Sequence, residues 1–359
     1  MRKAFLLAAV GLSAALIVGA QPAAAQFYSQ HNLVSDGAVP ADLADSSLVN
    51  AWGLTASATS PWWVADNGTG LSTLYNGVTG MKLGLTVTVP GAPTGVVFNG
   101  GTGFVVHNGM LSGPARFIFS SEDGTISGWS PAASPTVAQV AVNHSLEGAV
   151  YKGLAIAQTL AGDRIYATNF HAGTVEVFDS GFNPMPGGFT DPDLPEGYAP
   201  FGVQNLGGTI YVTYALQDEH KHDDVPGQGH GFVNAFDAAG VLIRRVASKG
   251  QLDSPWGLAM APADFGKFGG QLLVGNFGNG RIHAFDPERP HGQGELEKSG
   301  PLHGAEGRPI EIDGLWALAF GNGAAAGPKN TLFFTAGPLE EQHGLFGKLE
   351  VAPHPDDEP

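Results

Sequence analysis

The sequence predicts an all-β chain folded as a six-bladed β-propeller of four-stranded antiparallel blades, its ring closed by the strand that opens the mature chain. Three observations predict it. A unit of strand-length pieces recurs along the 359 residues, with anchors at 53, 95, 153, 202, 257 and 317. Each piece is bounded by Gly, Pro, Asn or Asp, in a chain holding 53 Gly and 25 Pro. No segment sustains the 3.6-residue apolar period of a helix, so helix content is expected to be very low.

The elements follow in chain order. Arg2 and Lys3 precede an apolar stretch over 4–18, and Ala23, Ala24 and Ala25 supply small residues before Gln26, so residues 1–25 read as a signal peptide. That stretch is shorter than the roughly 20 residues that cross a bilayer, and every later apolar run is short and broken by Gly, Asn or Asp. An exported product, secreted or periplasmic and with no transmembrane segment in the mature chain, is the expectation. Residues 26–351 read as one propeller domain, followed by an acidic disordered tail over 352–359.

The first blade takes 50–54, 63–67 and 72–76, with 85–89 as its outer strand. The second starts at 93–96 and ends at 136–140. The third takes 152–155, 164–169 and 173–179, and the fourth 200–203, 209–212 and 241–246. The fifth is the clearest copy, at 254–259, 271–276 and 280–286. The sixth takes 315–318, 331–334 and 347–351 and then runs out of chain, so 27–33 is expected to supply its outer strand and hide an exposed edge.

Composition narrows the function. The 17 basic and 33 acidic residues give a net charge of −16, and no run of Lys or Arg offsets it, so nucleic acid is excluded as an expected partner. The absence of cysteine removes disulfides, thiolate nucleophiles and thiolate metal sites. There is no Gly-x-Ser-x-Gly elbow, no His-Glu-x-x-His, no phosphate loop and no dinucleotide fingerprint.

The fifth-blade sequence Pro255-Trp256-Gly257-Leu258, Val274-Gly275-Asn276 and Arg281-Ile282-His283-Ala284-Phe285-Asp286 resembles NHL-type six-bladed propellers and, more distantly, the gluconolactonase and senescence-marker superfamily. Phe189-Thr190-Asp191-Pro192, Pro200-Phe201 and Lys221-His222-Asp223-Asp224 resemble a family of secreted bacterial propeller proteins. The lactonase resemblance implies Asn or Asp metal ligands near the anchors. Trp256 stands where one would fall, which argues against transferring that mechanism. Fold likeness alone carries no function.

In this topology the residue before each anchor faces the upper mouth of the channel, giving Trp52, Thr94, Lys152, Phe201, Trp256 and Trp316 in blade order. Blades three apart face one another, so Trp52 is expected to oppose Phe201, Thr94 to oppose Trp256, and Lys152 to oppose Trp316. The aromatic rings either offer a stacking surface for a sugar, a flat apolar ligand or a cation, or plug the channel. Lys152 is the one charge in that ring. Desolvation there is expected to lower its pKa and make it a candidate catalytic base, nucleophile or anion anchor.

The segment Asp218-Glu219-His220-Lys221-His222-Asp223-Asp224, between the second and third strands of blade four, is expected on the same face. His222, Asp223 and Asp224 are its candidate ligands for a divalent metal, Ca²⁺ or Zn²⁺. Asn67, Asn108, Asn169 and Asn276 are read as ends of second strands, with Asn169 and Asn276 kept as candidate ligand contacts. The expected function is binding of a small molecule, glycan or protein at the mouth. The alternative is a metal-assisted hydrolase or lyase of the lactonase kind.

Overall fold

The computed structural model describes residues 27–160, 162–291 and 294–352. The expected signal peptide over 1–25 and the tail beyond 352 lie outside the described residues, whereas Ala352 ends a strand.

Six antiparallel sheets form the ring. Blade 1 is Ala51–Thr55, Trp62–Asp66, Leu71–Tyr75 and Lys82–Thr88. Blade 2 is Pro93–Phe98, Phe117–Ser121, Thr125–Trp129 and Gln139–Asn143. Blade 3 is Tyr151–Thr159, Gly162–Asn169, Thr174–Asp179 and the two-residue Pro184–Met185. Blade 4 is Tyr198–Leu206, Thr209–Leu216, Phe232–Phe236 and Leu242–Ser248. Blade 5 is Pro255–Met260, Leu272–Asn276, Ile282–His291 and Glu295–Pro301. Blade 6 is Leu315–Phe320, Leu332–Ala336 and Leu345–Ala352, with Phe27–Ser35 as its fourth strand. Among the described residues the only helical pieces are three 3₁₀ turns of three residues each.

The ring closes with the N-terminal strand, as expected. Phe27 pairs with Ala352 and Ser35 with Leu345, and Leu43–Ala44 adds a short parallel strand outside. Two expectations in blade 2 are corrected. Its outer strand lies three residues later than 136–140, because Thr136 instead accepts a hydrogen bond from the Thr88 backbone of blade 1. Asn108 ends no second strand; it sits in an extra hairpin, Val105–Asn108 with Leu111–Pro114, inserted between the first two strands.

Five of the six anchors are glycine, and Ala317 is the sixth, because the innermost strands nearly touch. A Cβ on Gly202 would lie 2.3 Å from Trp256 O, and one on Gly95 would lie 2.4 Å from Leu154 N. Hydroxyls then tie blade to blade around the axis. Thr94 Oγ1 donates to Tyr151 O at 2.8 Å, Thr168 Oγ1 to Phe201 O at 2.7 Å, and Thr335 Oγ1 to Trp52 O. Farther out, aromatic faces seal the blade interfaces, as where Trp63 of blade 1 stacks on Phe117 of blade 2 at 3.8 Å.

Candidate functional site

The anchor-adjacent aromatics form a plug. Trp52 and Trp316, on neighbouring blades, stack at 3.7 Å and 16°, and Phe277 covers the other side of Trp316 at 4.0 Å. Phe201 reaches Trp316 at 5.8 Å. Trp52, Trp316 and Phe201 are at most 1% exposed. The expected pairings across the axis are therefore corrected: Trp52 packs on Trp316 rather than opposing Phe201. Thr94 is buried in hydrogen bonds to Ser120 and Tyr151. Rings of this size meet before they can line an open channel, so Trp52, Phe201 and Trp316 present no free face to a ligand. Trp256 alone of the three mouth tryptophans stays partly exposed, its Nε1 donating to Lys152 O at 3.0 Å.

Above the plug lies a group of charges brought from several blades. Lys152 Nζ stands 2.5 Å from Glu122 Oε1 and 3.0 Å from Asp223 Oδ1, and 5.2 Å over the Trp52 ring rather than opposite Trp316. Glu122 Oε2 accepts from Asn67 Nδ2 at 2.8 Å. Asn50 Nδ2 donates to Asn67 Oδ1 at 3.1 Å and to Glu341 Oε2 at 2.7 Å, while its Oδ1 receives Trp316 Nε1 at 2.9 Å. The network thus joins mouth and plug.

Its electrostatics correct the expectation for Lys152. Burial acts to lower the lysine pKa, but Glu122 and Asp223 together override it and the pKa is raised. The amine is held as an ammonium, which disqualifies it as a free base or nucleophile. Asp223 is likewise subject to desolvation, which raises its pKa, yet Lys152 prevails and holds it below the ordinary value. The other two carboxyls move the opposite way. Burial lifts Asp224 to about 6 and Glu341 to about 7, and Glu122 and Asp224 add repulsion at Glu341.

The blade-four segment reaches the mouth as expected, and the Asp223 contact with Lys152 fixes it there. Its predicted metal set changes by one member. Ligand atoms of Glu122, His222 and Asp223 lie within 4.8 Å of one another, with His222 Nδ1 2.9 Å from Asp223 Oδ1. Asp224 falls outside that group; its Oδ2 is shielded from solvent, with the Ser254 hydroxyl and the Lys152 charge acting on it.

Asn169 and Asn276 each make hydrogen bonds that hold turns. Asn169 Nδ2 donates to Glu176 at 2.7 Å and its Oδ1 accepts from Ala172 N at 3.1 Å; Asn276 Nδ2 donates to Gln251 O at 2.8 Å. Both are buried. The sequence reading does not single out Glu122, Glu341 or Asn50, and it takes Asn67 only as the end of a strand. A signal for two of them exists in the repeat: the residue just after each second strand donates its N–H to the residue before the next-inward strand, as Asn67 N to Asn50 O and Glu122 N to Ala92 O. That register places both side chains at the mouth. Glu341 follows Leu339 and Glu340 through three successive left-handed residues, φ 56°, 57° and 63°, a conformation with no signature in the sequence.

The ring and its mouth define a six-bladed β-propeller with an acidic, plugged upper face. The comparisons place it further. Two uncharacterized proteins of Acanthamoeba polyphaga mimivirus are similar to it, one 34% identical over 331 residues, covering 88% of this chain and 78% of the relative, the other 32% identical over 335 residues, covering 88% and 84%. The chain belongs to the family of these viral proteins. No family model matches it. Among solved structures, a streptogramin B lyase shares the fold at TM-score 0.51 and 12% identity, covering 91% of this chain and 98% of that one. A protein of unknown function from Bacteroides thetaiotaomicron does so at TM-score 0.55 and 11% identity, covering 91% and 76%. At such identities the likeness is one of fold.

Proposed function

We propose that this chain is exported, with residues 1–25 as its signal peptide, and that its propeller binds a small positively charged ligand at the upper mouth without making or breaking bonds. One observation carries the reading. Glu122 and Asp223 contact a single ammonium whose charge Asp224 and Glu341 also feel, so the carboxyls outnumber the cation and leave the mouth negative. The partly exposed Trp256 face supplies an apolar and cation–π surface beside it. The overall charge of −16 supports the same sign of ligand and disfavours polyanions. Among the described residues no helix is long and apolar enough to cross a membrane.

Titration calorimetry with organic ammonium ions and with Ca²⁺ and Zn²⁺ tests this. Binding of at least one cation class, weakened by added salt and by Glu122→Gln, is expected; no binding of either class sinks the proposal.

A second reading, a metal-assisted hydrolase or lyase using Ca²⁺ or Zn²⁺, is favoured by one specific feature. Glu341, with its pKa near 7, is placed to exchange a proton at neutral pH beside a fixed ammonium that could stabilise developing negative charge. Turnover of lactones or esters that chelator abolishes and Glu341→Gln reduces would replace the binding reading by this one.

A further inference from the structure

We infer that Asn108-Gly109, at the tip of the extra hairpin of blade 2, is a site of spontaneous backbone modification: Gly109 N attacks the Asn108 side-chain amide, and water reopens the resulting succinimide to aspartate or isoaspartate. The inference goes beyond the cation reading of the mouth and does not depend on it. The hairpin leaves blade 2 after its first strand, at the end opposite the mouth. Asn108 pairs with Leu111 as its last rung, so Gly109 and Met110 form a two-residue turn, with Gly109 at φ 60°.

The chain holds six Asn-Gly pairs, beginning at 67, 76, 99, 108, 279 and 322. Sequence alone makes them equivalent, because glycine leaves the attacking nitrogen unhindered by a side chain in every one. The fold separates them. In four, that nitrogen is already a hydrogen-bond donor: Gly68 N to Val49 O at 3.1 Å, Gly77 N to Ala325 O at 2.9 Å, Gly280 N to Asn276 O at 3.1 Å and Gly323 N to Gly327 O at 2.8 Å. In a fifth the amide under attack is locked: Asn99 is 1% exposed, its Nδ2 donates to Gly103 O and Ala115 O, and its Oδ1 accepts from Gly101 N. Neither restraint holds at the sixth. Among the described residues Gly109 N donates no hydrogen bond, and the Asn108 amide makes one contact, Nδ2 to Ala133 O at 3.3 Å.

The tip is also open to solvent. Asn108 is exposed, Met110 is fully exposed, and a Cβ on Gly109 would meet nothing within 4 Å, which leaves room for the cyclic intermediate and for water. The chemistry balances with water as the one co-reactant. A bond forms between Gly109 N and Asn108 Cγ, the Cγ–Nδ2 bond breaks, and ammonia leaves with the proton of the Gly109 amide. Water then opens the ring at one of its two carbonyls. Cleavage at Cγ gives aspartate with the original backbone, and cleavage at the backbone carbonyl gives isoaspartate, whose main chain is longer by one methylene. Either product sets a negative charge near the Ala133 carbonyl, and isoaspartate disrupts the rung between Asn108 and Leu111.

The test is peptide mapping by mass spectrometry after incubating the purified protein in mildly alkaline buffer, which favours loss of the amide proton. In the folded protein, aspartate and isoaspartate at 108 should accumulate about tenfold faster than at the other Asn-Gly pairs, the factor set by one hydrogen bond of ordinary strength broken before attack. In concentrated urea the restraints are gone and the six pairs should react alike. Asn108→Gln, whose longer side chain must close a larger and slower ring, should remove the fast product from the folded protein. No conversion at 108 in the folded protein, or conversion of the tied pairs at the same rate, overturns the inference. The same preference for 108 in urea would trace it to neighbouring sequence instead of the fold and overturns it as well.

Discussion

Lys152 of blade 3 and Glu122, just after the second strand of blade 2, meet at 2.5 Å, with the ammonium 5.2 Å over the Trp52 ring that stacks on Trp316. The lysine side chain is 2% exposed and the glutamate 16%, so the pair is largely out of water. Asp223 of blade 4 touches the same ammonium. One side chain thereby links three blades at the face where a ligand would arrive.

Removing the lysine should expose what it holds together. Lys152→Met leaves Glu122 without its counter-ion in a poorly hydrated place, and loss of one partner of a buried pair costs about 3–5 kcal/mol. Urea unfolding should show a drop of that order, and Lys152→Met/Glu122→Gln should recover part of it, since the unpaired charge is then gone. The raised lysine pKa fixes the pH window: the pair contributes fully below about 10.5, the unfolded value, and its contribution disappears as pH rises through the higher folded value. A double variant as unstable as the single one would show that the pair is not coupled.

Glu341 gives a slope of the same sign, but near neutrality. Its folded pKa of about 7 lies above its unfolded 4.5, so the folded state keeps a proton that the unfolded state has lost. Stability should therefore fall as pH rises from about 4.5 to 7 and level off above, by up to about 3 kcal/mol for this group. Glu341→Gln retains an acceptor for Asn50 Nδ2 and should be more stable than the parent at pH 8 but not at pH 4. Equal stabilities at pH 8 would mean that Glu341 ionises as freely as in the unfolded chain.

His283 acts in the acid range. It is 2% exposed in the third strand of blade 5, and neither ring nitrogen has a partner. Burial, with Lys298, Arg281 and His303 adding repulsion, lowers its pKa to about 4. As pH falls from 6.5 to 4 the unfolded chain takes up the proton first, so the fold should lose about 3 kcal/mol over that interval. His283→Leu should flatten the acid limb of the stability curve in thermal melts; an unchanged limb would place acid sensitivity elsewhere.

The anchor glycines can be tested against a control. Gly202→Ala puts a Cβ 2.3 Å from a backbone oxygen of blade 5, an overlap no rotamer relieves, and should cost about 3 kcal/mol or more. Gly84→Ala, in an outer strand with nothing within 4 Å, should stay within about 0.5 kcal/mol of the parent. Similar melting temperatures for the two would show that the inner strands can separate at little cost.

Much of this protein was readable from its sequence because strands, turns and anchors are short-range features. Alternating apolar residues and the glycines at 53, 95, 153, 202 and 257 set six repeats, and the unfinished sixth repeat required the N-terminal strand to close the ring. The placement of the His222–Asp223 loop on the mouth followed from the same strand directions. Which side chains meet there was decided by the tertiary structure. Glu122, Lys152, Asp223 and Glu341 come from blades 2, 3, 4 and 6, and their contacts depend on the angles between blades. The aromatic ring of the mouth became a plug for a related reason: Trp52, Trp316 and Phe201 bury more surface against one another than an open channel allows. Lys152 then keeps its proton because two carboxylates, distant in sequence, outweigh the burial that its own position imposes.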